Sequence, residues 1–135
     1  MDAAAALADL TEISSQVEAA LVIDDAGEVV ASTLDDAEHS ARIAKAALDL
    51  LGGADARFNS DGRALIQLEA ALREGSVFVA REEGRSIVAT TSPAPTSGLV
   101  FYDLKTCLRS LARPVPEPKP KPARKRRATK PKADA

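Results

Sequence analysis

The sequence predicts an α+β chain in the order helix, strand, strand, helix, strand, strand, strand, helix, followed by a basic tail. Three observations predict it. Ala/Leu-rich stretches with helical spacing open the chain, occupy its middle and close its apolar part. Short β-branched runs lie between them, and two of the connections carry a turn glycine, Gly27 and Gly84. From Arg113 onward the composition changes abruptly to Pro, Lys and Arg.

Asp2 to Ser15 reads as the first helix, with Leu7, Leu10, Ile13 and Val17 near helical spacing. "VEAALVID" (Val17 to Asp24) and "EVVAST" (Glu28 to Thr33) flank Asp25-Ala26-Gly27 and read as a β-hairpin. "DDAEHSARIAKAALDLLGG" is the clearest helix. Asp35 and Asp36 suit its N-terminal end, and Gly52-Gly53 read as its stop. Ala54 to Arg63 reads as a loop with a turn at Ser60-Asp61-Gly62. "SVFVAR", the tight turn "EEGR" and "SIVATT" form a second hairpin, and "SPAPTSG" breaks the pattern. "LVFYDLKTCLRSLA" is the last helix, with Leu99, Tyr102, Leu104, Leu108 and Leu111 as expected core contacts.

The middle helix carries more apolar surface than one packed face requires. At 100° per residue, Glu38, Arg42, Lys45 and Asp49 form one narrow polar stripe. Ala37, Ala41, Ala44, Leu48 and Leu51 flank it on one side, and Ile43, Ala46, Ala47 and Leu50 on the other. The apolar arc spans roughly 220°, about twice what one buried face needs. One side can cover a sheet, and the other calls for a second partner.

"RALIQLEAALREG" has two readings. As a helix, Ala64, Leu65, Leu68, Ala71 and Leu72 share a face; as a strand, Ala64, Ile66, Leu68, Ala70 and Leu72 do. Both periods fit, and propensity favours the helix. Two features favour a strand from Ala64 to Arg73. Glu74-Gly75 leads straight into "SVFVA" as a hairpin turn would, and the strand places Gln67, Glu69 and Arg73 opposite the apolar face.

With the strand reading, the chain resembles the roadblock family, the dynein light-chain-like domain related to longin folds, in its bacterial small-GTPase-associated type. The resemblance covers about residues 2–112. It rests on "ALVIDDAGEVVAS", the Ala/Leu helix ending in Gly-Gly, "VFVAREEGRSIVATTS" and "TSGLVFYDLKTCLRSL", in that order. It implies an α/β sandwich: a five-stranded antiparallel-type sheet with helices on both faces, its third strand an edge beside the long second helix. It further implies a homodimer in which two third strands pair and two second helices pack. The interface it implies contains Ala41, Ala44, Leu48, Leu51, Ala64, Ile66, Leu68, Ala70 and Leu72. Family members act as platforms and regulators of Ras-like small GTPases, which makes such a GTPase the expected partner. A heterodimer with a related chain remains open.

Catalytic chemistry is not indicated. His39 is the one histidine and has no second ligand near it in sequence, whereas a metal site needs three or four convergent ligands. Cys107 is the one cysteine, so no intrachain disulfide forms, which fits a reducing cytoplasm. As a nucleophile it would need an activating base. Asp24-Asp25, Asp35-Asp36 and Glu82-Glu83 sit at turns and helix starts, where backbone chemistry accounts for them. No phosphate-cradling glycine motif occurs. We therefore expect no enzyme activity, cofactor, metal or small-molecule substrate.

Composition adds the tail. The net charge of −2 hides a split: residues 113–135 hold nine of the 18 basic and two of the 20 acidic residues. The tail is thus +7 and residues 1–112 are −9. We expect a folded domain over 1–112 and a disordered tail over 113–135, since its six prolines and few large apolar side chains bury too little to offset ordering. Arg124, Lys125, Arg126, Arg127, Lys130 and Lys132 are candidate contacts to phosphates of nucleic acid or to an anionic surface. The start, Met1-Asp2-Ala3, does not read as a signal peptide, and no apolar run reaches the roughly 18 residues of a membrane span. A cytoplasmic location is expected.

Overall fold

The computed structural model of the chain describes residues 2–58 and 66–112. The elements are α1 (Ala3–Ile13), β1 (Val17–Ile23), β2 (Val29–Ser32), α2 (Ala37–Phe58), β3 (Ile66–Ala71), β4 (Ser76–Glu82), β5 (Arg85–Thr91) and α3 (Ser97–Ala112). They form one five-stranded antiparallel sheet in the order β2-β1-β5-β4-β3. The tail, the expected turn at Ser60-Asp61-Gly62 and Ala64 lie outside the described residues.

Local chemistry sets the ends of these elements. Asp2 caps α1 by accepting from the Ala5 N–H at 2.8 Å. Asp24 accepts from the N–H groups of Ala26 (2.9 Å) and Glu28 (3.0 Å), closing the β1–β2 turn. Gly27 in that turn has φ +88°, a conformation side chains disfavour. Asp36 caps α2 through the N–H groups of Glu38 (3.0 Å) and His39 (3.2 Å). Asp24 and Asp36 therefore have structural roles.

Strand alternation splits the core in two. On one face α1 and α3 cover Ala20, Val22, Phe78, Ala80, Ile87 and Ala89. The Phe78 and Phe101 rings meet edge to face there, with centroids 5.0 Å apart. On the other face α2 alone packs Ala44, Ala47 and Leu51 on Leu21, Ile23, Val79 and Val88. The α2 helix is centred over β2, β1 and β5. Its start is fastened to β2 by the Ser32 and Ser40 hydroxyls, 2.8 Å apart, and its last turns to β4 by the Asp55–Arg81 pair.

Two expectations need correction. Gly52-Gly53 do not stop α2, which runs on to Phe58, so Ala54 to Phe58 are helical rather than loop. Neither glycine takes the left-handed conformation of a helix stop. Leu51, buried on the sheet, and Asp55, held by two hydrogen bonds from Arg81, bracket them and keep the helix down. That anchoring outweighs roughly 1 kcal/mol of helix propensity lost at each glycine. Leu99 and Tyr102 are not core residues, being 52% and 66% exposed. The α3 face that meets the sheet is Val100, Phe101, Leu104, Cys107 and Leu108, with Leu111 partly buried beside it.

Candidate docking surface on the open face

The "RALIQLEAALREG" stretch is a strand over Ile66–Ala71, at one edge of the sheet. It pairs with β4 in unbroken register from Ile66↔Arg81 to Ala71↔Ser76. The following turn closes with the Leu72 N–H donating to the Gly75 carbonyl at 2.8 Å. Gly75 is required there, because a Cβ would collide with the Thr91 carbonyl oxygen. The register places Leu68 opposite Val79 and Ala70 opposite Val77, on the α2 side of the sheet. Gln67 and Glu69, opposite Ala80 and Phe78, lie on the α1–α3 side.

The two edges of the sheet differ. β2 spans four residues, and its pairing with β1 shifts register between Val22 and Ile23. Short, bulged edges resist adding strands. β3 spans six residues with no such irregularity and presents an unpaired row of backbone N–H and C=O groups within the described chain. It is the edge suited to pairing.

Beside it the α2 face is incompletely covered. Because α2 lies mainly over β2, β1 and β5 and reaches β4 at Val79 and Arg81, the margin at Leu68 and Val77 is less fully covered. Leu68 and Val77 are only partly buried there, and Leu72 is 61% exposed. On α2, Ile43 is partly buried and Leu50 is 48% exposed.

The nine residues expected at an interface do not all meet here. Ala44 and Leu51 are buried in the chain's own core. Ala41, Ala44 and Leu48 line an open depression of about 430 Å3 with Gly27, Glu28 and Val29, toward the β2 edge. Helical geometry puts Ile43 and Leu50 on the opposite flank, toward β3. Leu68, Ala70 and Leu72 stand at the β3 edge, and Ile66 belongs to that strand. Ala64 lies outside the described residues, as do Arg124, Lys125, Arg126, Arg127, Lys130 and Lys132. The flank holding Ile43 and Leu50 was visible in the sequence as apolar surface, but its direction depends on where α2 lies across the sheet.

Groups with chemical potential are dispersed. His39 is exposed on the first turn of α2. Cys107 is buried and its thiol points to the Ala6 carbonyl at 3.6 Å. Burial, with a smaller contribution from Asp9, pushes that thiol up to about 11, away from the reactive thiolate. Among the described residues no group of three or more His, Cys, Asp or Glu side chains converges as a metal site. Among them, too, no helix is long and apolar enough to cross a membrane.

Solved structures share this arrangement. A roadblock/LC7 domain from Streptomyces avermitilis superposes with a TM-score of 0.70 at 20% identity, over 82% of this chain and 95% of that one. This is the roadblock fold. The MglB protein of Myxococcus xanthus shares it, with a TM-score of 0.62 at 17% identity over 81% of this chain and 84% of MglB. A profilin, LokiProfilin2, solved in complex with rabbit actin, is more distant, with a TM-score of 0.56 at 11% identity over 82% and 96% of the two chains. No protein-family model and no curated protein sequence matches the chain. These likenesses show the fold alone, and the reading of function must come from the surfaces.

Proposed function

We propose that the protein is a non-catalytic homodimeric platform that regulates or scaffolds a Ras-like small GTPase. The observation that carries the dimer is the coincidence of an unprotected edge strand with an uncovered apolar strip on the same side of it. Antiparallel pairing of β3 with its own copy requires a two-fold axis perpendicular to the sheet. Such an axis leaves both α2 helices on one face of a continuous ten-stranded sheet and brings the two open strips together. Leu68, Leu72, Ile43 and Leu50 then lose their contact with water, while the β3 backbone groups find partners.

The small GTPase is proposed on the likeness to roadblock structures. The joined pair of α2 helices makes a broad two-fold surface on which one such partner can sit.

Light scattering tests the dimer: a mass twice that of one chain is expected at tens of micromolar, and a strict monomer would refute it. Capture on immobilised protein tests the partner. A small GTPase from the same cell is expected to be enriched when loaded with one of its two nucleotides. Equal absence in both states removes the GTPase from the reading while leaving the dimer standing.

A further inference from the structure

The side of the sheet away from the proposed dimer surface has an opening of its own. Between α1 and α3 runs an apolar groove of about 200 Å3 whose walls include Leu10, Ile13, Tyr102 and Cys107. Ile13 is 69% exposed, and Tyr102 projects from α3 with most of its ring in water. Leu99 extends the same stripe of α3, since Leu99, Asp103, Thr106 and Ser110 follow helical spacing. Two carboxylates, Asp9 and Asp103, also line the groove. No basic side chain lines the groove: Lys105 and Arg109, three and seven residues on from Tyr102, flank its Tyr102 wall, and Arg109 is drawn to Glu82 at 3.4 Å.

We infer that this groove is the docking site of the chain's own proline–lysine segment, residues 113–122. Three observations choose that occupant. The first is connection. Ser110 lines the groove two residues before the end of α3, so the segment starts beside it. Tethering at that distance gives a local concentration in the millimolar range.

The second is conformation. The sequence places proline at every second position from Pro114 to Pro122. Such a segment cannot join a helix or a central strand, and polyproline II is the conformation left to it. Polyproline II ligands bind grooves lined by aromatic side chains at little entropic cost, because they are already extended. From Ser110 to Tyr102 the groove measures roughly 12 Å at 1.5 Å per helical residue. About four residues of polyproline II cover that length, leaving the first residues of the segment for the reversal of direction.

The third is charge. Lys119 and Lys121, set between prolines, meet a groove that holds Asp9 and Asp103 and no basic side chain. Docking there carries the run from Arg124 to Lys132 to the α1–α3 side. The acidic domain then shows a basic patch on the face opposite the dimer surface.

The test uses the uniformly 15N-labelled full chain at low salt. The heteronuclear NOEs of Val115, Glu117, Lys119 and Lys121 are expected to approach those of α3. They are expected to fall toward zero in Ile13→Ser/Tyr102→Ser, with the shifts of β3 and α2 unchanged. Should that variant not fold, Lys119→Glu/Lys121→Glu leaves the domain intact and is expected to lower the same NOEs and shift the Tyr102 amide. Tail NOEs near zero or negative in the unsubstituted chain overturn the inference. So do NOEs that rise only with added duplex DNA, or groove shifts that grow with protein concentration, which would assign the site to a neighbouring copy. Because the groove and the open α2 strip lie on opposite sides of the sheet, loss of dimerisation leaves this result unaffected.

Discussion

The two faces of the sheet are built to different degrees of completion. The α1–α3 face has two helices, an aromatic pair and a continuous core from Ala6 to Leu108. The α2 face has one helix set to one side, a small core, and a margin of partly buried Ile43, Leu68 and Val77. A chain with few aromatic residues cannot close both faces with its own side chains at full area. It places Phe78 and Phe101 on one face, and in the proposed dimer the other is completed by association. The faces therefore differ in closure, and the proposed dimer gives them different purposes: one supplies folding stability, the other a surface.

That difference is open to mutation, and the largest effect belongs to the closed face. Phe78 is fully buried at the centre of it. Phe78→Ala is expected to cost about 3–5 kcal/mol in denaturant unfolding, since it deletes the ring and leaves a cavity between β4 and α3. A cost under about 1 kcal/mol would mean that the closed face is not the main source of stability.

A pH effect comes next and also belongs to the closed face. The Cys107 thiol is raised from 9.0 to about 11 by burial and by Asp9, so the folded state holds this proton longer than the unfolded chain does. The stability from this group is complete below pH 9 and is lost as pH rises from 9 toward 11. Its full extent is about 2–3 kcal/mol. Unfolding curves of the unsubstituted chain and of Cys107→Ala, followed from pH 8 to 11, are expected to differ by that pH-dependent loss. Parallel curves would place Cys107 in a wetter setting than its burial implies.

The third effect concerns the attachment of α2. The Arg81 guanidinium donates to both Asp55 oxygens, at 3.0 and 2.8 Å, in a partly buried position. Asp55→Ala is expected to cost about 1–2 kcal/mol, allowing for screening of a partly exposed pair. The last turns of α2, with Gly52 and Gly53 before them, should lose amide protection ahead of the rest of the helix. Uniform protection along α2 would show that Leu51 alone is enough to hold it.

Much of this architecture was legible in the sequence, for identifiable reasons. The order of elements followed from periodicity, and the edge strand followed from the turn at Glu74-Gly75 and the alternation of Leu68 and Ala70 with Gln67 and Glu69. The surplus of apolar surface on α2 was countable. Three things were not legible. The helix passes Gly52-Gly53 because of tertiary contacts made by its neighbours. The last helix carries apolar side chains outside its core face: Tyr102 lines the groove, and Leu99 is exposed rather than in the core. Which flank of α2 turns toward β3 depends on its placement over β2, β1 and β5, which no local pattern encodes.

The smallest effect on folding is expected on the open face, and it separates the two faces most sharply. Leu50 and Leu72 are large, apolar and half or more exposed within one chain. Replacing them by Leu50→Glu and Leu72→Asp removes little buried area from that chain, so each should change its folding stability by no more than about 0.5 kcal/mol. In the proposed dimer the same carboxylates would stand near their own copies across the two-fold axis and out of water. The expected result of the double variant is half the mass by light scattering, with far-ultraviolet circular dichroism and the midpoint of monomer unfolding retained. A variant that keeps the dimer mass would show that the open strip is not where two copies meet. One that unfolds outright would show that the α2 face was never as open as Leu50 and Leu72 make it.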